Sequence, residues 1–202
     1  MKAKHLIAIV SAAGLAMVAP HSFAKGPSYT YAEIGYIYFD ADNYDGYGGR
    51  VNISYGATEH IFLKMGYARK VIDVSSVSDI DADRFNIGIG GHMSVTDNVD
   101  VLGVVSYIDQ EYSGGIPSEA DEGYQADLGV RGMLTKKAEL NATASFRHMN
   151  YTSVLGVTDD EEYGFEVGTV IKLKKKFHLS GNVNYFNESE EAGVFLGIRL
   201  NL

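Results

Sequence analysis

Ala192-Gly193-Val194-Phe195-Leu196-Gly197-Ile198-Arg199-Leu200-Asn201-Leu202 has a period of two. Ala192, Val194, Leu196, Ile198, Leu200 and Leu202 form an unbroken apolar row, and Gly193, Gly197, Arg199 and Asn201 alternate with them. Successive side chains of a strand point to opposite faces, so this segment predicts a strand with one apolar face and one small or polar face.

The same alternation runs back through the chain. A first strand over about 28–40 puts Ala32, Ile34, Tyr36 and Tyr38 opposite Glu33 and Gly35, and a second over about 46–55 sets Tyr47, Val51, Ile53 and Tyr55 against Gly48, Arg50, Asn52 and Ser54. Ile61, Leu63, Met65 and Tyr67 oppose Lys64, Gly66 and Ala68; Phe85, Ile87, Ile89 and Met93 oppose Arg84, Asn86 and His92. The segment over about 99–109 is apolar on both faces, and Val101, Val105 and Tyr107 against Asp100 and Ser106 is the better assignment. Tyr124, Ala126, Leu128 and Val130 then face away from Gln125, Asp127 and Arg131, and Leu140, Ala142, Ala144 and Phe146 from Glu139, Asn141 and Arg147. Tyr163, Phe165, Val167 and Ile171 oppose Glu166 and Lys172; Phe177, Leu179, Val183 and Tyr185 oppose Ser180, Asn182 and Asn184. The total is ten strands, with eight as the nearest alternative. Their connections alternate short and long, as in an up-and-down antiparallel β-barrel.

The first 24 residues read as a secretory signal peptide: Lys2 and Lys4, an apolar stretch from Leu6 to Val18, then Ser22-Phe23-Ala24 before cleavage. That stretch falls short of the ~18–20 residues of a spanning helix. Residues 25–202 then form one barrel domain. Cysteine is absent, which excludes disulfides and thiolate metal sites. The formal charge of -9 becomes -11 without the two leader lysines, which argues against a nucleic-acid partner.

A soluble barrel and a membrane barrel both alternate, and the placement of charge separates them. Arg50, Lys64, Arg131, Arg147 and Glu166 lie well inside strands, on the face that carries most strand glycines. In a closed barrel that crowded face is the lumen, so the apolar face looks outward, where only lipid tolerates it. Tyr38, Tyr47, Tyr67, Tyr107, Tyr124, Tyr163 and Tyr185 share the apolar face near the outer strand ends, as an interfacial girdle does. The five expected external loops, about 40–46, 73–83, 109–122, 150–162 and 187–191, hold 19 of the 26 acids and no Lys or Arg. Divalent cations bridging these acids to outer-leaflet phosphates are one expectation, and plain solvation of the loops is the other.

Tyr31-Ala32-Glu33-Ile34-Gly35-Tyr36, Asp45-Gly46-Tyr47-Gly48, Ile61-Phe62-Leu63-Lys64-Met65-Gly66-Tyr67, Phe85-Asn86-Ile87-Gly88-Ile89-Gly90 and Leu128-Gly129-Val130-Arg131-Gly132 follow one another in an order and spacing with a counterpart. The chain resembles the small single-chain outer-membrane β-barrels of the opacity-protein and OmpA-like type. Within them it is most similar to the subgroup described as quorum-factor outer-membrane proteins. The resemblance spans the mature chain and implies a bacterial outer-membrane location, contact with outer-membrane lipid and lipopolysaccharide, and insertion by the barrel-assembly machinery through the C-terminal strand. Leu202 stands where the family's assembly signal usually has an aromatic residue.

No catalytic, cofactor-binding or metal residues emerge. His92 and His178 belong near the periplasmic end of the lumen, away from the outer rim where omptin-like proteases keep their acids and histidines. Arg147-His148-Met149-Asn150 lacks the His-x-Ser spacing of a lipid A deacylase, although Ser153 lies beyond it. Asp40, Asp42 and Asp45 before Gly46 have Tyr44 at a ligand position of a calcium loop and no Glu at the twelfth. What remains is a lumen charge network of Glu33, Arg50, Lys64, Arg84, Asp127, Arg131, Arg147, Glu166 and Arg199, joined by Asp100, Glu139 and Lys172. In a barrel this narrow, side chains fill the interior and these charges are expected to pair. The expected function is a non-enzymatic structural or surface-interaction barrel acting through acidic external loops; the alternative is a small porin-like channel for ions or small solutes.

Overall fold

The structure, a computed structural model, describes residues 26–41, 44–73, 79–114, 119–153 and 156–202. The expected signal peptide lies outside the described residues. Ten antiparallel strands form a closed barrel in which each strand pairs with its sequence neighbours and β1 closes on β10. They are β1 (Tyr31–Asp40), β2 (Asp45–Gly56), β3 (Ile61–Asp73), β4 (Ile80–Thr96), β5 (Val99–Gly114), β6 (Glu119–Met133), β7 (Ala138–Ser153), β8 (Gly156–Lys172), β9 (Phe177–Phe186) and β10 (Ala192–Asn201).

The apolar rows point outward. Ile34 is 63% exposed and Leu128 66%, while Phe195 and Ile108, on the opposite parity, are 1% exposed. An outward surface carrying Ile, Leu, Val and Met on strand after strand is compatible with lipid and not with water. Six of the seven girdle tyrosines are exposed on that surface, and Tyr185 is partly covered. Three donate their hydroxyls to acids just above them: Tyr38 to Asp45, Tyr67 to Asp83 and Tyr107 to Glu122. The amphipathic ring thus sits between an apolar band and a charged collar.

The periplasmic turns are short and share a design. Ala57, Leu134 and Leu173 each donate a backbone N–H to the carbonyl four residues on. In two of these turns a threonine hydroxyl, Thr58 or Thr135, accepts from two further backbone N–H groups, which satisfies the turn without outside partners. On the outer side the strands exceed their expected limits. β4 and β8 have 17 residues each, whereas β1, β9 and β10 have 10. Much of the acidic sequence expected as loop, including 80–83, 109–114 and 119–122, therefore continues the β ladder. Above the membrane both faces of a strand meet water, so alternation fades there while backbone pairing persists.

Glycine opposite an aromatic residue is how the interior accommodates its rings. A Cβ on Gly35 would stand 2.6 Å from the Phe195 ring, and one on Gly197 2.5 Å from it. The Phe195 ring lies over Gly197, two residues on in its own strand, and over Gly35, diagonal to it on β1, where no side chain is in the way. On β5, apolar on both faces, Leu102, Val104 and Ile108 turn inward and are buried.

Candidate functional site in the barrel lumen

The lumen has two ends with different chemistry. At the periplasmic end, Tyr29, which precedes β1, inserts into the barrel mouth. Its ring stacks on His92 with centroids 3.7 Å apart and tilts against Phe62 at 4.9 Å. Its hydroxyl donates to Asp100 at 3.0 Å, its carbonyl accepts from Ser54 at 2.7 Å, and Arg131 lies 4.6 Å over its ring. Tyr29, Phe62, Leu102 and Val104 form a buried apolar cluster. The expected first strand over about 28–40 puts Tyr29 on the parity of Glu33 and Gly35 but gives it no distinct role, and in the structure it precedes β1.

Around this seat the charges are paired and buried. Arg199 reaches Glu33 at 2.8 Å, Arg131 reaches Glu139 at 2.7 Å, and Arg199 also stands 3.8 Å from Glu139. Asn52 donates to Glu33 and Arg199 covers the Tyr31 ring at 4.0 Å. Each buried charge thus has a counter-charge or a hydrogen bond, the condition under which burial is tolerable. His178 is buried nearby, with Nδ1 3.1 Å from the Lys176 carbonyl.

Toward the outer end the pattern changes. Arg147 pairs with Glu162 at 2.9 Å and Lys70 with Glu191 at 3.1 Å. Glu191 lies in the β9–β10 loop; burial pushes its carboxyl up, and the Lys70 ammonium with the Arg147 and Arg84 guanidiniums outweighs this and holds it below its ordinary value. Arg50, Lys64 and Arg84 are different: among the described residues no carboxylate lies within ion-pair distance of any of them. Arg50 is placed by an aromatic ring instead, its guanidinium carbon 4.0 Å over Phe195, and its Nε is buried without a hydrogen-bond partner. Phe186 lies 3.9 Å under Arg147 and Phe39 4.3 Å under Lys70. A ring attracts a cation without neutralising it. The alternation reading passed over Phe39, Phe186 and Phe195, although their position on the polar parity was the available signal.

On the acidic side, Asp127 accepts from Gln125 and Ser145 at 2.7 Å each, and neither it nor Glu166 has a cation within ion-pair distance among the described residues. A cavity of about 260 Å³ runs between these groups, lined by Arg50, Lys64, Arg84, Asp127 and Glu166 among others. Lys172 shares their parity but is exposed at the periplasmic rim. The expected network is therefore brought together in its periplasmic part, Glu33, Arg131, Glu139 and Arg199, and left open at Arg50, Lys64, Arg84, Asp127 and Glu166. His148 stands on the outward face with its ring 5.0 Å from Tyr124, and the side chain of Ser153 lies outside the described residues. No group of three or more metal-ligating side chains occurs among the described residues.

No protein-family model and no curated protein matches the chain. Among solved structures, the NanC porin superposes with a TM-score of 0.51 at 9% identity, covering 86% of this chain and 100% of that one. An outer membrane channel from Pseudomonas putida F1 gives 0.50 at 11% identity, covering 90% and 99%. Likeness at such identities is likeness of fold: the chain has the fold of the outer-membrane β-barrels.

Proposed function

We propose that this protein is a non-enzymatic outer-membrane barrel with a structural or surface-interaction role, its lumen closed to ion flow at the periplasmic end. The observation that carries this reading is the seat of Tyr29, stacked on His92, bonded to Asp100 and ringed by paired arginines. The acidic collar above the tyrosine girdle is then the surface offered to the outside, next to lipid and lipopolysaccharide, with divalent cations as its natural counter-ions. Export through the N-terminal signal and insertion through β10 by the assembly machinery complete the reading, as does the quorum-factor subgroup among the resembling barrels.

Planar-bilayer recording tests it. The purified barrel is expected to show no conductance steps, and Tyr29→Ala to introduce them. Steady conductance from the unaltered protein would overturn the closed-lumen reading in favour of a small porin-like channel, which the unpaired Arg50, Lys64 and Arg84 favour.

A further inference from the structure

Charge in the lumen is sorted by wall as well as by height. From β2 to β4 the inward-facing charged residues are Arg50, Lys64, Lys70 and Arg84, and the acids of these strands, Asp45, Asp73, Asp81 and Asp83, take the outward parity. From β5 to β8 the inward acids are Asp100, Asp121, Asp127, Glu139, Glu162 and Glu166. The buried cations on that wall, Arg131 and Arg147, are held by Glu139 and Glu162 of the same wall. In a ring of ten strands β3 and β8 stand five apart, on opposite sides. After internal pairing, Arg50, Lys64 and Arg84 remain on one side of the cavity and Asp127 and Glu166 on the other.

We propose that this cavity is a binding site for a small zwitterion of the α-amino-acid class, with its carboxylate toward Arg50 and Arg84 and its ammonium toward Asp127 and Glu166. A simple anion is attracted to the basic wall but meets two carboxylates across the cavity, and a simple cation meets the reverse. A molecule carrying both charges a few bonds apart aligns with the field and gains at both ends. The Arg50 guanidinium, stacked face-on against Phe195, leaves the in-plane N–H edge of its terminal nitrogens, and not the covered Nε, to meet a carboxylate. A volume of about 260 Å³ is just below the ~300 Å³ at which pockets for drug-sized ligands begin, so the occupant is small. The site stands whether or not the lumen conducts.

Three probes of nearly equal size separate the charges: L-alanine, lactate (anion alone) and L-alanine methyl ester (cation alone). Binding to the full barrel in detergent micelles is measured by saturation-transfer NMR, with the boiled-against-unboiled gel shift confirming that each variant is folded. Alanine is expected to bind at least tenfold more tightly than either single-charge probe. Arg50→Gln should weaken alanine and lactate about tenfold and spare the ester, and Glu166→Gln should weaken alanine and the ester and spare lactate. Lactate binding as tightly as alanine, equal losses for all three probes in both variants, or no binding to the unaltered protein would each overturn the proposal.

Discussion

The two halves of the lumen handle buried charge in opposite ways. At the periplasmic end Arg131 and Arg199 are matched to Glu33 and Glu139 at 2.7–2.8 Å, and the space between them is filled by Tyr29. Toward the outer end Arg50 is held by a ring, Arg84 by no carboxylate, and a cavity remains. Matched pairs lock a region into one arrangement, because parting them leaves a charge buried alone. Charges positioned by rings keep their field and remain responsive to whatever enters.

That contrast sets the order of expected effects. Arg199→Met removes the counter-charge of buried Glu33, while Glu139 keeps Arg131, and should destabilise the barrel by about 3–5 kcal/mol, the cost of an uncompensated buried charge. Arg84→Met, in the outer half, removes a charge that has no carboxylate at ion-pair distance and whose longer-range attraction to Glu191 and Glu162 is set against repulsion from Arg147, and should cost under about 1 kcal/mol. Urea unfolding from lipid vesicles compares the two, and equal losses would erase the distinction between the halves. Gly197→Val pushes a side chain into the Phe195 ring and should cost about 1–3 kcal/mol, as overpacking does, while displacing the ring from under Arg50.

The smallest effect is at Glu191. Its carboxyl titrates below the ordinary 4.5, so the Lys70–Glu191 contact contributes stability above that value and loses it as pH falls through the lower folded-state value. Carboxyl-carbon NMR of Glu191 should therefore still report an ionised group at pH 4.5; half-protonation there would show that Lys70 does not hold it. Lys70→Met should raise the midpoint, since burial is then opposed only by the more distant Arg147 and Arg84.

Much of this architecture is legible in the alternation alone. Ala192 to Leu202 discloses both faces of a strand, Glu33 and Arg199 announce themselves as lumen residues, and even β5 is assigned to the correct parity through Asp100 and Ser106. Three things are not legible, for physical reasons. Which acid meets which base depends on the tilt and stagger of the closed barrel, and period two carries no information about either. Tyr29 is seated by tertiary contacts alone. The outer strand ends are missed because hydrophobic alternation reports burial, while the ladder above the membrane is held by backbone hydrogen bonds in water.

Those outer extensions leave an edge. β8 pairs with β7 along its whole length from Gly156, but with β9 only from Gly164 to Lys172. Above Tyr163, whose backbone is capped by Asn187, the strand therefore has a neighbour on one side only among the described residues. An open row of backbone donors and acceptors on a crowded cell surface is a template on which a second molecule could add its own strand and begin a fibre. Asp160 and Glu161 are exposed along that row, so any copy arriving to extend the sheet would bring their negative charges against the same two, while Glu162 turns inward to Arg147. The sequence that lets the wall rise above the membrane also keeps neighbouring barrels from joining through it.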